Sequence, residues 1–128
     1  MSEKIDLFAN YSDKVREHFK NPKNRGKMED ADCHAVSKAV CGDVTEIFLK
    51  IKDDKIIDVK FQTTGCIMSV ATASALTEMV KGKTLDEAIG IQEEDLTKEV
   101  GGVPDFKTHC IRNSLKSLRD AIAEYRRK

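Results

Sequence analysis

Residues 45–66, TEIFLKIKDDKIIDVKFQTTGC, decide the fold of this chain. Apolar residues alternate with polar ones on each side of Asp53-Asp54, namely Ile47, Leu49 and Ile51 before it and Ile57, Val59 and Phe61 after it. Such alternation is typical of strands with one buried face, and an Asp pair between two strands is typical of a tight turn. The stretch therefore predicts an antiparallel hairpin, followed at Cys66 by the start of a helix.

Helices are predicted on both sides of this hairpin from caps, helix breakers and the spacing of apolar residues. The first spans about residues 12–20, with Ser12 as its cap, and the second spans residues 67–81 and ends at Gly82. Two short helices are predicted at LDEAIG and QEEDLTKEV. The last helix carries an apolar stripe, namely Ile111, Leu115, Leu118, Ile122 and Tyr125. The last segment is the clearest, because its charges lie opposite the apolar stripe.

Length and charge limit the class of protein. The 128 residues are those of one ordinary domain, so a single domain over 1–128 is expected. The 22 basic and 22 acidic side chains cancel, which argues against nucleic acid or an anionic membrane as the main ligand.

The charged start, MSEKIDLFANYSDK, lacks the apolar segment of a signal peptide. A cytoplasmic location is therefore expected, where four cysteines would stay free of structural disulfides.

Three of the cysteines have neighbours that suit a metal site. They stand in CGD at 41–43, GC at 65–66 and HC at 109–110, each at a predicted turn or element end. Thiolates bind zinc, copper(I) and iron–sulfur clusters, and Asp43 or His109 would offer a donor for a fourth position. Structural zinc sites usually pair ligands a few residues apart, whereas these motifs are widely separated. The fold must therefore bring the three cysteines together.

Cys33 lies outside these motifs, in the polar connector EDADCH. Free cysteines are often small buried hydrophobic residues, and Cys33 is expected to be one. His34 is expected to be a solvated loop residue, and His18 a surface or half-buried side chain of the first helix. We therefore leave all three out of the candidate site.

The motifs, taken together, resemble those of the iron–sulfur cluster scaffold proteins of the IscU/NifU family, and most of all the scaffold module at the start of NifU. They are CGD, GC followed by ASALTEMVKGKTLDEA, and GGVPDFKTHC at 101–110, in that order. The likeness extends over nearly the whole chain, from YSDKVREHFKNPKN to AIAEYRRK. It implies an α+β fold in which helices pack on a small three-stranded antiparallel sheet, with the first strand just before Cys41 and a long C-terminal helix.

The resemblance also implies a function and partners. Cys41, Cys66 and Cys110 would hold a nascent cluster, [2Fe-2S] or [4Fe-4S], with Asp43 or His109 at or near the fourth position. Sulfur would come from a pyridoxal-phosphate cysteine desulfurase of the IscS/NifS type, and the cluster would pass to carriers or apo-acceptor proteins. Such a protein is a scaffold rather than a classical enzyme, and would act as a monomer or as a homodimer bridged by the cluster.

The chain departs from the family pattern around each motif. Ser37-Lys38-Ala39 replaces the usual Gly-x-Pro before the first cysteine, and Ile67-Met68 replaces the small residues after the second. VPDFK at 103–107 replaces the LPPVK chaperone-binding stretch, although Pro104 and Lys107 are kept. Recognition by a DnaK-type chaperone is therefore left open.

Two other functions would use the same residues. A zinc protein with a structural or regulatory metal would bind it through the thiolates with Asp43 or His109, and zinc commonly occupies such a site in isolated protein. A sulfur-transfer protein would carry persulfide on one thiolate without forming a cluster. Anaerobic reconstitution followed by transfer to an apo-acceptor separates these functions.

Overall fold

The computed structural model describes residues 10–128, so the first part of the charged N-terminal stretch lies outside the described residues. The helices are α1 (Asp13–Lys20), α2 (Ile67–Val80), α3 (Leu85–Ile89), α4 (Glu93–Glu99) and α5 (Thr108–Arg127), and the strands are β1 (Cys33–Lys38), β2 (Val44–Lys52) and β3 (Lys55–Thr64). A short 3₁₀ turn, Asp105–Lys107, precedes α5. Within residues 10–128, every helix is too short or too polar to cross a bilayer.

The strands form one antiparallel sheet in the order β1-β2-β3, as predicted. The hairpin turn at Asp53 and Asp54 has φ angles of 52° and 65°, a left-handed conformation that Asp adopts more readily than most residues. Helix α5 packs on β1 and β2, α2 packs on β3, and α1 packs against α2. The α+β architecture and the long C-terminal helix are confirmed.

Ile57 was predicted to face the core, and this was wrong. Ile57 is 46% exposed, whereas its neighbour Ile56 is fully buried. The pairing of β2 with β3 shifts between Lys50 and Ile51, so that Lys50 faces Asp58 while Ile51 faces Ile56. Ile57 is therefore the extra residue of a bulge, and strict alternation assigns it to the wrong face.

Helix α2 is the most deeply buried element of the core. Every residue from Met68 to Thr77 is buried, and most of them are Ala, Ser or Thr. Small side chains let the neighbouring helices and the sheet approach closely, while their hydroxyls need partners. Ser74 Oγ accepts from the backbone N–H of Lys23 at 2.8 Å, and Thr72 Oγ1 lies 3.1 Å from Ser114 Oγ on α5. The helix is thus fixed by polar contacts as well as by packing.

Polar side chains of α5 form hydrogen bonds with strand β1. The carbonyl of Ala35 accepts from Ser117 Oγ at 2.8 Å, and the carbonyl of Ser37 accepts from Asn113 Nδ2 at 3.2 Å. Ser37 Oγ in turn donates to Asn113 Oδ1 at 2.7 Å. These contacts tie α5 to β1 through buried polar groups as well as through apolar packing.

Replacing Asn113 by Ala should lower the free energy of unfolding by about 1–3 kcal/mol, because the buried hydroxyl of Ser37 would lose its partner. The chain has no Trp, so urea unfolding is best followed by far-ultraviolet circular dichroism. Lys116→Ala on the same helix is the control. Its exposed side chain pairs with Asp120, and its loss should cost less than about 0.5 kcal/mol.

Candidate functional site

Three segments of the chain converge at one end of the sheet. The turn between β1 and β2 contributes Cys41 and Asp43, the start of α2 contributes Cys66, and the start of α5 contributes His109 and Cys110. Val44, the first residue of β2, pairs with Lys38 at the end of β1 and with Thr64 at the end of β3. The turn after β1 and the end of β3 therefore lie side by side. The fold thus brings the five predicted residues into two overlapping groups.

The inner group consists of Asp43, Cys66 and Cys110. A carboxylate oxygen and the two sulfurs lie within 4.8 Å of one another, and the two Sγ atoms are 3.7 Å apart. Cys66 is half-buried, and Cys110 is only 2% exposed. One oxygen and two sulfurs at this spacing form a donor set suited to a borderline or soft metal ion.

The outer group consists of Cys41, Asp43 and His109, whose ligand atoms also lie within 4.8 Å of one another. Cys41 is exposed to solvent. Nε2 of His109 is buried and has no hydrogen-bond partner within residues 10–128. A buried ring nitrogen without a partner is uncommon, and metal ligation is one way to satisfy it. Asp43 belongs to both groups and therefore joins them.

The turn at 39–43 places Asp43 against α2 while Cys41 stays at the surface. The backbone N–H of Ala39 donates to the carbonyl of Asp43 at 2.7 Å, and that of Gly42 donates to the carbonyl of Ala39 at 2.9 Å. Gly42 has a φ of +96°, which side chains other than glycine rarely tolerate. The glycine of the CGD motif is therefore required by the backbone of the turn.

Gly65 is required for a different reason, which is the close approach of Asp43. A Cβ atom on Gly65 would lie 2.6 Å from Cγ of Asp43, well inside contact distance. A larger residue at 65 would therefore push the carboxylate away from α2. The glycine of the GC motif thus belongs to the site, although it offers no donor atom of its own.

Two further residues at the site were not predicted as site residues. The hydroxyl of Ser69, which is buried, donates to Asp43 Oδ2 at 2.5 Å. The ammonium group of Lys107 lowers the pKa of the Cys66 thiol through its positive charge. The sequence does contain a signal for Ser69, since it lies three residues after Cys66 and so on the same face of α2. Lys107 stands in VPDFK, which was considered only as a chaperone-binding stretch.

The two inner thiols have pKa values shifted in opposite directions. The pKa of Cys66 is lowered to about 5, chiefly by the hydrogen bond from the Cys110 thiol. Burial alone would raise this pKa, while hydrogen bonds from Ser69 and the charge of Lys107 lower it further. The same hydrogen bond and burial raise the pKa of Cys110. Cys66 is therefore a thiolate at neutral pH, whereas Cys110 keeps its proton in the metal-free protein.

Asp43 is held as an anion. Partial burial alone would raise the pKa of its carboxyl group, but hydrogen bonds from Ser69 and from the backbone N–H of Cys66 outweigh burial and lower the pKa. The thiol of Cys41 contributes in the same direction. The carboxylate is thus in the form that binds a cation.

Two cysteines differ from their expected settings. Helix α5 begins at Thr108, so Cys110 lies inside its first turn and is buried rather than facing outward. Cys33 is the first residue of β1 rather than part of a connector, and burial raises the pKa of its thiol to about 12. Its expected role as a buried hydrophobic residue is confirmed. His34 also lies in β1, where Nδ1 contacts Glu46 Oε2 at 2.8 Å on the exposed face.

Sequence comparison identifies the family. Residues 10–128 match the family described as NifU-like N terminal domain, and the chain belongs to this family. It is 50% identical over 119 residues to the iron-sulfur cluster assembly scaffold protein IscU 1 of Archaeoglobus fulgidus, covering 92% of this chain and 78% of that protein. It is also 42% identical over 125 residues to the nitrogen fixation protein NifU of Trichormus azollae, covering 91% of this chain and 42% of NifU.

Solved structures agree with the fold. A crystal structure of a NifU-like N-terminal protein from Brucella abortus has a TM-score of 0.79 at 19% identity, covering 96% of this chain and 99% of that one. A putative iron-sulfur cluster assembly scaffold protein for the SUF system from Fervidobacterium islandicum has a TM-score of 0.75 at 25% identity, covering 88% of this chain and 96% of that one. The fold implied by the resemblance is thereby confirmed, and the family match above confirms the resemblance itself.

Removing the Cys110 thiol should raise the pKa of Cys66. In Cys110→Ala the hydrogen bond that chiefly stabilises the thiolate is lost, so the midpoint should move from about 5 toward the ordinary thiol value of about 8.5. The measurement is the pH dependence of alkylation by iodoacetamide in a Cys41→Ala background, with the modified residue located by mass spectrometry. A midpoint that stays near its starting value would contradict this role of the Cys110 thiol.

Proposed function

We propose that this protein is a scaffold on which iron–sulfur clusters are assembled and from which they pass to other proteins. Iron and sulfur are its substrates and the cluster is its cargo, so it is not a classical enzyme. Residues 1–128 act as a single scaffold domain. The reducing cytoplasm is the expected location, because it keeps cysteines available as thiols.

The convergence of Asp43, Cys66 and Cys110, with Cys41 and His109 beside them, supports this proposal most directly. Three thiols with one carboxylate and one imidazole exceed the four ligands that a cluster takes from protein. A site with a spare donor suits temporary binding, since one ligand can leave while the others hold the cargo. The printed names of relatives such as the Archaeoglobus fulgidus protein add further support.

A [2Fe-2S] cluster suits the two overlapping groups better than a [4Fe-4S] cluster does, because each group would serve one of two iron atoms. Cys41, Cys66 and Cys110 are the proposed thiolate ligands. Asp43 or His109 completes the set of four that such a cluster requires. Zinc would bind the same donors, so a zinc-loaded sample would be consistent with this site without identifying its cargo.

Cys41 offers the accessible point for sulfur delivery by a cysteine desulfurase. It is exposed, and its neighbour Val40 is exposed as well, so another protein can reach the thiol. A scaffold thiolate would attack the outer sulfur of the desulfurase persulfide. The persulfide S–S bond breaks, the desulfurase thiolate leaves, and the outer sulfur stays on the scaffold cysteine as a new persulfide. Carriers or apo-acceptors would later take the finished cluster from the same exposed side.

Anaerobic reconstitution tests the function. The protein is mixed with Fe²⁺, cysteine, a cysteine desulfurase and dithiothreitol, and visible absorption is recorded before and after an apo-ferredoxin is added. A scaffold develops cluster bands and then loses them to the acceptor. A zinc protein develops no such bands, and a persulfide carrier shows a mass increase of one sulfur without bands. Either of the last two results would overturn the proposal.

Replacing Cys41, Cys66 or Cys110 individually by Ala should reduce the cluster yield by at least about tenfold, since each change removes a proposed ligand. Cys33→Ala is the matched control, because Cys33 is equally free of disulfides but lies in the core. It should leave the yield per folded protein unchanged. A loss of yield in the control, with a native circular dichroism spectrum, would show that Cys33 had been wrongly excluded.

Asp43→Ala should make the bound cluster longer-lived and its transfer slower. A carboxylate is a weaker ligand for iron than a thiolate and exchanges more easily with water or with a cysteine of the acceptor. Without it, His109 is free to take the fourth position. Cluster half-life and transfer rate are measured beside the parent protein. A variant that loses its cluster faster would mean that Asp43 stabilises the cluster, and the release mechanism would be rejected.

A further inference from the structure

Ser69 lies at the centre of the inner group. Its hydroxyl oxygen is 2.5 Å from Asp43 Oδ2, 3.6 Å from the sulfur of Cys66 and 3.6 Å from the sulfur of Cys110. The residue is 2% exposed and stands on α2, whose neighbouring residues are also buried. One hydroxyl thus contacts three of the five proposed ligands from a fixed position.

The contacts of Ser69 determine which oxygen of Asp43 is available. A hydroxyl has one proton to donate, and the short distance to Asp43 indicates that Oδ2 of Asp43 accepts it rather than either sulfur. Oδ2 of Asp43 also accepts from the backbone N–H of Cys66 at 3.3 Å. Two hydrogen bonds occupy the lone pairs of Oδ2, so Oδ1 is the oxygen left to bind a metal.

We propose that Ser69 is a positioning residue that holds Asp43 as a ligand through one oxygen beside Cys66 and Cys110. A carboxylate bound through one oxygen has a single bond to the metal to break. Fixing Oδ2 on α2 therefore keeps Asp43 in place and still exchangeable. This inference deepens the proposed scaffold function and rests on it for the value of an exchangeable ligand.

Co²⁺ binding tests the role of Ser69 without cluster assembly. Metal-free protein is titrated with Co²⁺ under nitrogen, and the cobalt–thiolate charge-transfer absorption is followed. Ser69→Ala removes the hydroxyl and little else, and should weaken Co²⁺ binding by about tenfold, the usual size of the effect when a hydrogen-bond partner of a metal ligand is lost. Unchanged affinity would overturn the proposal.

A double-mutant cycle shows whether Ser69 acts through Asp43. Asp43→Ala should itself weaken Co²⁺ binding, and adding Ser69→Ala to that variant should then change the affinity by less than about twofold. Cys41, Cys66, Cys110 and His109 remain as donors, so Co²⁺ binding stays measurable. A full tenfold loss on top of Asp43→Ala would mean that Ser69 acts independently of the carboxylate, and the proposal would be rejected.

Ser74→Ala is the matched control for the same substitution on the same helix. Its buried hydroxyl contacts His18 and the backbone N–H of Lys23 rather than any residue of the site. It should leave Co²⁺ affinity unchanged even if stability falls, whereas a comparable loss would attribute the Ser69 effect to general damage to α2. Asp43→Ala is expected to weaken Co²⁺ binding and also to slow cluster transfer, and the two results are compatible. Co²⁺ affinity depends on the number of anionic donors, whereas the transfer rate depends on how easily one ligand of the cluster exchanges.

The cobalt result and the scaffold function can fail separately. Co²⁺ binding requires neither sulfide nor a desulfurase, so an absence of cluster bands in the reconstitution would overturn the scaffold function alone. An unaltered Co²⁺ affinity in Ser69→Ala, in a protein that still assembles and transfers clusters, would overturn the role of Ser69 alone. Each experiment therefore tests one statement.

Discussion

The contact between Asp43 and the start of α2 is the interaction on which the rest of the site depends. Cys66 occupies the N-cap position of α2, but its side chain does not cap the backbone of the helix. Oδ2 of Asp43, from the turn between β1 and β2, accepts the backbone N–H of Cys66 instead. A carboxylate there is favoured by the helix dipole and satisfies a backbone donor that would otherwise be unpaired. The same contact brings an oxygen beside two thiols, so the cap of a helix and a proposed metal ligand are one side chain.

Local sequence patterns predicted the helices whose ends carry capping residues. Ser12 caps α1, as predicted, and Thr84 and Glu87 form the capping box of α3. The bulge at Ile57 was missed because alternation cannot reveal one extra residue in a strand. Strand β1 was expected only from the family resemblance, because its partners are β2 and residues of α5 such as Asn113 and Ser117, which lie far away in sequence.

The motifs predicted which residues would meet, but not how each would be held. Their convergence follows from the turn and from the starts of two helices, which the sequence could indicate. The burial of Cys110 and the central place of Ser69 depend on how α5 packs beside α2, a contact between segments that no local pattern describes. Gly65 could have been connected with Asp43 only once the turn was known to lie against it. The assignment of Cys41, Asp43, Cys66, His109 and Cys110 as ligands stays a prediction.

The 3.7 Å separation of the Cys66 and Cys110 sulfurs also makes these two residues sensitive to oxidation. A thiolate next to a thiol is the pair from which an internal disulfide forms most readily. The thiolate of Cys66 attacks an external disulfide such as oxidised glutathione, and Cys110, after losing its proton, then displaces the remaining glutathione thiolate. Two electrons pass to the oxidant and two donors disappear at once. Oxidation of this pair would therefore block metal binding by the inner group, and a dithiol reductant would restore both thiols.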